Sequence, residues 1–228
     1  MFNNNLSHTI NYILSRTVEE GFVGIVGPAG IGKSTLAYTL NKNFEHSIYS
    51  IDYRFIGDSE DRKKLHYNKQ KKSIDDYIDA INQFNWWNWN EIYQDIINLE
   101  NKKIIKIENA YNRILGKKDT KIKIKHNKIT IFEGAILGDV NITKKMKKIF
   151  FLWSDPFFRF SNLVNKDLDK RSFNEICARF LVTQFSENIY YKKLFLSEKE
   201  KLIFIDVNKS EIITEPALIE ENFIPLKF

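Results

Sequence analysis

Residues Gly27-Pro28-Ala29-Gly30-Ile31-Gly32-Lys33-Ser34-Thr35 bring three glycines, a lysine and two hydroxyls together directly behind the apolar run FVGIV at 22–26. The spacing satisfies G-x-x-x-x-G-K-S/T, with a strand expected before it and a helix after it. Glycines permit backbone angles that a Cβ forbids, so successive amides can turn inward on one anion. The following helix adds the positive end of its dipole. In such a cradle Lys33 reaches the β- and γ-phosphates of a nucleoside triphosphate. Ser34 gives its hydroxyl oxygen to Mg²⁺, and Thr35 is placed for an α-phosphate oxygen.

The cradle does not say what the triphosphate is for; carboxylates and cations downstream must decide that. Asp52 follows the apolar stretch SIYSI at 47–51, at the strand end that faces the ligand crevice in a doubly wound sheet. There a carboxylate can take the proton of an attacking hydroxyl and aim it at the γ-phosphate. Glu133 closes a second apolar strand, ITIF, at the same edge and is placed to hold Mg²⁺ through water. The run Lys166-Asp167-Leu168-Asp169-Lys170-Arg171 sets cations on both sides of a short turn, which would bring positive charge onto a transferring phosphoryl group on closure. Together these features point to phosphoryl transfer onto an alcohol. A guanine-reading N-K-x-D is absent: Asn208-Lys209-Ser210-Glu211 has glutamate in the last position and reads as a surface turn. The alternative class is a regulatory or nucleic-acid-associated triphosphatase, which would hydrolyse ATP without an added acceptor.

The elements that must carry these residues alternate. Residues 6–21 read as an amphipathic helix ending at Gly21, 22–26 as a strand, 34–44 as a helix and 47–51 as a strand. The charged stretch 57–72 reads as a surface segment, and Ser73 opens a helix over 73–84. Residues 102–107 are strand-like. TKIKIK and KITIF, flanking His126-Asn127, predict a hairpin. Strands at 147–153 and 201–207 enclose a long helix at 171–193. The expectation is one α/β domain over 1–228, a mostly parallel sheet flanked by helices. A helical lid at about 159–180 and an acceptor-side insert at about 57–115 complete it.

Composition bounds the rest. With 43% hydrophobic residues the chain can build a globular core, and a net charge of +6 suits a protein that handles anionic nucleotides. The densest basic stretch, 117–128, alternates lysine with isoleucine as a half-exposed hairpin does, so nucleic acid is not expected as a partner. One cysteine, Cys177, excludes an internal disulfide and suggests a reducing compartment. The opening MFNNNLSHTINY has no basic-then-apolar leader pattern, and the longest strongly apolar run, IFFLW, is too short for a membrane. A cytoplasmic protein is expected, with homo-oligomerisation left open. The stretch QFNWWNWNE at 83–91 admits two readings: Trp86, Trp87 and Trp89 either offer faces to an acceptor or close the core beneath a loop.

Taken in order, GPAGIGKSTLA, YSIDYRF, NAYNR at 109–113, IFEGAIL, KDLDKRS at 166–172 and TQF at 183–185 resemble the uridine kinase / phosphoribulokinase branch of P-loop kinases over about residues 22–195. The resemblance implies ATP with Mg²⁺ and a small-molecule hydroxyl acceptor. It makes Asp52 the catalytic base, Lys33, Arg171 and Lys166 phosphate clamps, and Ser34 with Glu133 the magnesium site. Tyr53, Trp87, Trp89, Tyr111, Arg113 and Glu133 fall on the acceptor side. Two departures bear on the acceptor. No histidine follows Tyr111 closely, and Phe173 stands where pyrimidine nucleoside kinases carry a further arginine. The acceptor class therefore stays broad: nucleoside, sugar, polyol or hydroxy acid.

Overall fold

A computed structural model describes residues 4–61, 83–169 and 171–214, apart from the side chains at 4, 83, 178, 179, 182, 185 and 186. The helix expected at 73–84 and most of the charged stretch 57–72 lie outside the described residues. Helix α1 (Asn4–Thr17) packs Leu6, Ile10 and Leu14 inward at helical spacing. It stops before the expected Gly21, because that glycine opens strand β1 (Gly21–Val26) with its amide bonded to the Lys128 carbonyl. Helix α2 (Lys33–Phe44) leads to strand β2 (Ser47–Ser50), and a 3₁₀ turn spans Ile51–Arg54. After a second 3₁₀ turn (Gln83–Trp86) come α3 (Trp89–Lys102), β3 (Ile104–Asn112), β4 (Lys117–Lys125) and β5 (Ile129–Gly134). The chain continues through α4 (Val140–Thr143), β6 (Met146–Trp153), α5 (Pro156–Asp167), α6 (Phe173–Ser197), β7 (Leu202–Asp206) and β8 (Glu211–Ile212).

The main sheet runs β2-β5-β1-β6-β7-β8, parallel except for the terminal β8. Its inner strands are apolar on both faces: β5 is buried at every position. Along β1, Phe22 and Val26 join a core with Tyr49, Phe132 and Phe151, whereas Val23 and Ile25 join one with Leu14, Leu36 and Leu40. Each face of the sheet therefore has its own layer, and the strand ends that carry Val26, Ser50, Glu133 and Trp153 share one edge.

The hairpin is real but lies elsewhere than the sequence suggested. β4 pairs antiparallel with β3 in a separate two-stranded sheet, whereas KITIF is β5, parallel between β1 and β2. Asn112 makes the turn: its Oδ1 accepts the amides of Ile114 and Leu115, and its carbonyl accepts the Gly116 amide. The alternation of β4 suits a strand with one covered face, while the continuous burial of β5 does not. Helix α5 is a further difference: Lys166 and Asp167, expected in a charged turn, form its last turn.

Candidate active site

β1 ends at Val26 and the chain turns beneath β6. A Cβ on Gly27 would sit 2.5 Å from the Leu152 carbonyl oxygen. Gly30 lies at φ 81°, and a Cβ there would stand 2.4 Å from the Arg159 carbonyl oxygen. Pro28, Ala29 and Ile31 complete the loop, with Ile31 fully buried among Leu36 and Leu40 as its anchor. Gly32 holds the N-cap of α2 without a side-chain cap, leaving the first-turn amides for an anion. Lys33 Nζ donates to the carbonyls of Gly27 at 2.6 Å and Pro28 at 2.9 Å. Desolvation by the surrounding loop draws its pKa down to about 8, against the attraction of Glu187 and Glu133. Ser34 and Thr35 follow on the exposed first turn.

The strand register assembles the carboxylates. Glu133 pairs with Ile25 of β1 on one side and Ser50 of β2 on the other. Its buried carboxylate accepts the Ser34 hydroxyl at 3.0 Å and the Ser50 hydroxyl on its second oxygen. Asp52, also buried, stands in the 3₁₀ turn just past β2. Its Oδ1 accepts the Trp87 indole N–H at 3.3 Å, and its Oδ2 pairs with Arg113 Nε at 3.0 Å. Arg113 also donates to Ser34 Oγ at 3.1 Å, so this half-exposed residue of the β3–β4 turn bridges the acceptor carboxylate to the phosphate loop. The Asp52 charge raises the Arg113 pKa against desolvation, with Glu133 assisting. Burial, then Glu133 and Asp52, push the Tyr53 phenol up, keeping it a neutral donor.

What holds Asp52 in place is not legible in the sequence. Arg54 grips Asp95 of α3 through two nitrogens at 2.7 Å and Glu91 at 2.9 Å, and Tyr49 donates to Asp95 at 2.6 Å. The 51–54 turn is thereby fastened to α3. The tryptophan stretch is fastened to the same turn: the Ile56 amide bonds to the Trp86 carbonyl, the Asn88 amide to the Arg54 carbonyl, and Trp87 stacks on Phe55 at 4.9 Å. Trp87 is thus a core residue, buried, with its N–H on Asp52. Trp89 spends its N–H on the Phe84 carbonyl at 2.6 Å and packs against Phe84 and Trp87. Tyr111 lies 2.7 Å from the Ser59 hydroxyl, its ring against the edge of Phe55.

On the lid side, Arg171 pairs with the buried Asp167 at 2.8 Å, and Asp167 also acts electrostatically on Arg113. Lys166 is exposed on the last turn of α5. Among the described residues no group of three His, Cys, Asp or Glu side chains gathers into a metal cage. A hydroxyl beside one carboxylate, Ser34 with Glu133, fits Mg²⁺ that arrives on phosphate oxygens, since that ion keeps most of its shell from water and substrate.

A parallel sheet ordered β2-β5-β1-β6-β7, a glycine-rich loop closing β1 and carboxylates at the ends of β2 and β5 define the P-loop kinase class. The family model for phosphoribulokinase / uridine kinase matches residues 22–174, and the chain belongs to that family, whose members phosphorylate hydroxyl groups of small metabolites. No curated protein sequence matches the chain significantly. Solved structures of several kinases share the fold. A possible uridine kinase from Bacillus stearothermophilus is 16% identical, with TM-score 0.50 over 73% of this chain and 89% of its own. A provisionally assigned fructose transport system kinase from Silicibacter sp. TM1040 is 14% identical, with TM-score 0.55 over 81% and 94%. A D-glycerate 3-kinase from Cryptococcus neoformans var. grubii is 10% identical, with TM-score 0.55 over 92% and 96%. Among the described residues no helix is long and apolar enough to cross a membrane.

Proposed function

We propose that this chain, as one domain, transfers the γ-phosphate of ATP to a hydroxyl of a small metabolite: a nucleoside, sugar, polyol or hydroxy acid. The observation that carries the reading is the contact chain Glu133–Ser34–Arg113–Asp52–Trp87, which joins the phosphate loop to a carboxylate across the cleft. Asp52 accepts the hydroxyl proton and aims the oxygen in line with the γ-phosphorus. The Trp87 N–H and the Arg113 guanidinium orient that carboxylate. Lys33, Arg171 and Lys166 clamp the polyphosphate, and the amides from Gly30 to Thr35 cradle it. Ser34 and Glu133 would hold Mg²⁺, which would supply positive charge against the polyphosphate. Tyr53, Trp87, Tyr111 and Arg113 line the acceptor side, and Trp89 supports it from behind Trp87.

The test is ATP consumption across a panel of nucleosides, sugars, polyols and hydroxy acids, with the parent and Asp52→Asn side by side. One acceptor class should stimulate the parent. Asp52→Asn should bind ATP normally and lose roughly 10²–10⁴-fold in kcat, the usual weight of a general base. Near-normal turnover in that variant removes the base role. Hydrolysis unaffected by any acceptor favours the regulatory or nucleic-acid-associated triphosphatase.

A further inference from the structure

Arg113 enters the cleft from a braced turn. Asn112 closes the β3–β4 connection through its side-chain oxygen, and the Ser59 amide donates to the Gly116 carbonyl at 2.9 Å. The Lys118 amide donates to Asp58 Oδ1 at 2.7 Å, and the Tyr111 and Ser59 hydroxyls lie 2.7 Å apart. The backbone on both sides of Arg113 is thereby stitched to residues 58–59, so its side chain starts from a fixed point. Its Nε pairs with Asp52 Oδ2 at 3.0 Å, and its Nη1 donates to Ser34 Oγ at 3.1 Å. The Arg113 side chain is 48% exposed and that of Asp52 10%, so the guanidinium opens toward the cleft while its anchor does not.

The contact with Ser34 belongs to the ligand-free protein. That hydroxyl already donates to Glu133 at 3.0 Å, and its oxygen cannot serve a guanidinium and a divalent cation together, because two cations at such range repel. With Mg²⁺ held at Ser34, Arg113 gives up this bond and keeps Asp52. Carboxylates nearby that could recapture the released nitrogen are engaged: Glu133 by Ser34 and Ser50, Asp167 by Arg171. Asp52 and Ser34 bracket the path of the γ-phosphoryl group in the proposed reaction, so the released nitrogen stands beside that group. We infer that Arg113 is a catalytic residue: with Nε on Asp52, its terminal nitrogens donate to oxygens of the transferring phosphoryl group and stabilise the charge that spreads there. The guanidinium stays charged at any working pH, and its planar fork suits two phosphoryl oxygens at once. The bond from the alcohol oxygen to phosphorus forms as the bond to the β–γ bridging oxygen breaks. The hydroxyl proton passes to Asp52 and ADP leaves, while Arg113 donates hydrogen bonds and transfers no proton. This role rests on the kinase reading above.

The experiment compares the full-length parent with Arg113→Met and Arg113→Lys in two readings. In steady-state turnover with the acceptor that the panel selects, Arg113→Met should lower kcat by about 10²-fold or more, with KM for ATP and for the acceptor within about threefold of the parent. Arg113→Lys supplies charge without the fork and should recover part of that loss. In calorimetry, Mg²⁺ and ADP are titrated with and without aluminium fluoride, which beside ADP mimics the flat phosphoryl group of the transition state. Fluoride should tighten ADP binding to the parent by about 10²-fold or more, and Arg113→Met should lose most of that gain while binding ADP alone as the parent does. A kcat within about threefold of the parent overturns the role. So does a raised acceptor KM with kcat intact, which marks a residue that only holds the acceptor, or equal weakening of ADP with and without fluoride, which marks a structural one. If Arg113→Met does not fold, Arg113→Lys carries the same two readings. ATP turnover that no acceptor stimulates, with no fluoride gain in the parent, refutes the kinase reading and this role with it. An acceptor-stimulated parent whose variants keep their kcat refutes the role of Arg113 alone.

Discussion

Asp52 and Lys33 work against burial in opposite senses. The carboxylate is buried yet supplied with an indole donor and a guanidinium, while the ammonium is desolvated and held only by two carbonyls. Its pKa near 8 carries a consequence for pH dependence. In the proposed role protonated Lys33 binds phosphate, and rising pH removes that proton from the free enzyme. The kcat/KM for ATP should therefore fall above a midpoint of about 8. Bound phosphate favours the ammonium, so the same limb in kcat should lie at higher pH. A pH–rate series measures both, and coincident limbs would contradict the assignment. Trp87 allows its two duties to be separated. Trp87→Phe keeps a ring against Phe55 but loses the N–H together with one ring's volume, so kcat should drop several-fold at a stability cost well below that of Trp87→Ala. Trp87→Ala should cost about 3–5 kcal/mol of folding free energy. Lys33 is readable in the sequence because its partners, the Gly27 and Pro28 carbonyls, lie within one short loop, and Ser34 because the loop's spacing fixes its place. The Trp87–Asp52 and Arg113–Ser34 contacts join residues far apart in sequence, which no local spacing encodes.

The 51–54 turn depends on α3. Buried Asp95 receives Arg54 and Tyr49, so Asp95→Ala would leave Arg54 with Glu91 alone and the buried Tyr49 hydroxyl without its acceptor, and should destabilise the protein by about 1–3 kcal/mol. Chemical denaturation gives that number, and a loss below about 1 kcal/mol would show the network to be dispensable. Gly30→Ala tests the loop itself. Left-handed backbone and the Arg159 carbonyl both oppose a Cβ, so ATP affinity should fall even in a folded variant. Most elements are legible from periodicity: the strands and helices around the loop appear within a few residues of expectation. The hairpin partner is not, because β3 and β5 are both isoleucine-rich and flank β4. Only packing on both faces assigns β5 to the main sheet.

The whole molecule should couple folding to its ligand. ATP present at 100 times its Kd should add about 2.7 kcal/mol of stability, a rise in Tm of about 5–10 °C for a chain of this size. Lys33→Met should lose most of that shift, and thermal scans with and without nucleotide decide it. Two layers of apolar side chains on a parallel sheet make such coupling natural, since loop, strand ends and flanking helices share one core edge. The sequence alone determined the phosphate loop, the alternating architecture and the strand-end carboxylates, because each is written in neighbouring residues through torsional freedom, helical or strand period and abrupt changes of polarity. Tertiary structure alone decided that Ser50 flanks Glu133, that Arg113 joins Asp52 to Ser34, that a core tryptophan bonds to Asp52, and that Glu187 reaches Ala29. Those contacts arise when strand register and helix docking bring distant segments within hydrogen-bonding range, and no local pattern in a chain specifies which distant segments will meet.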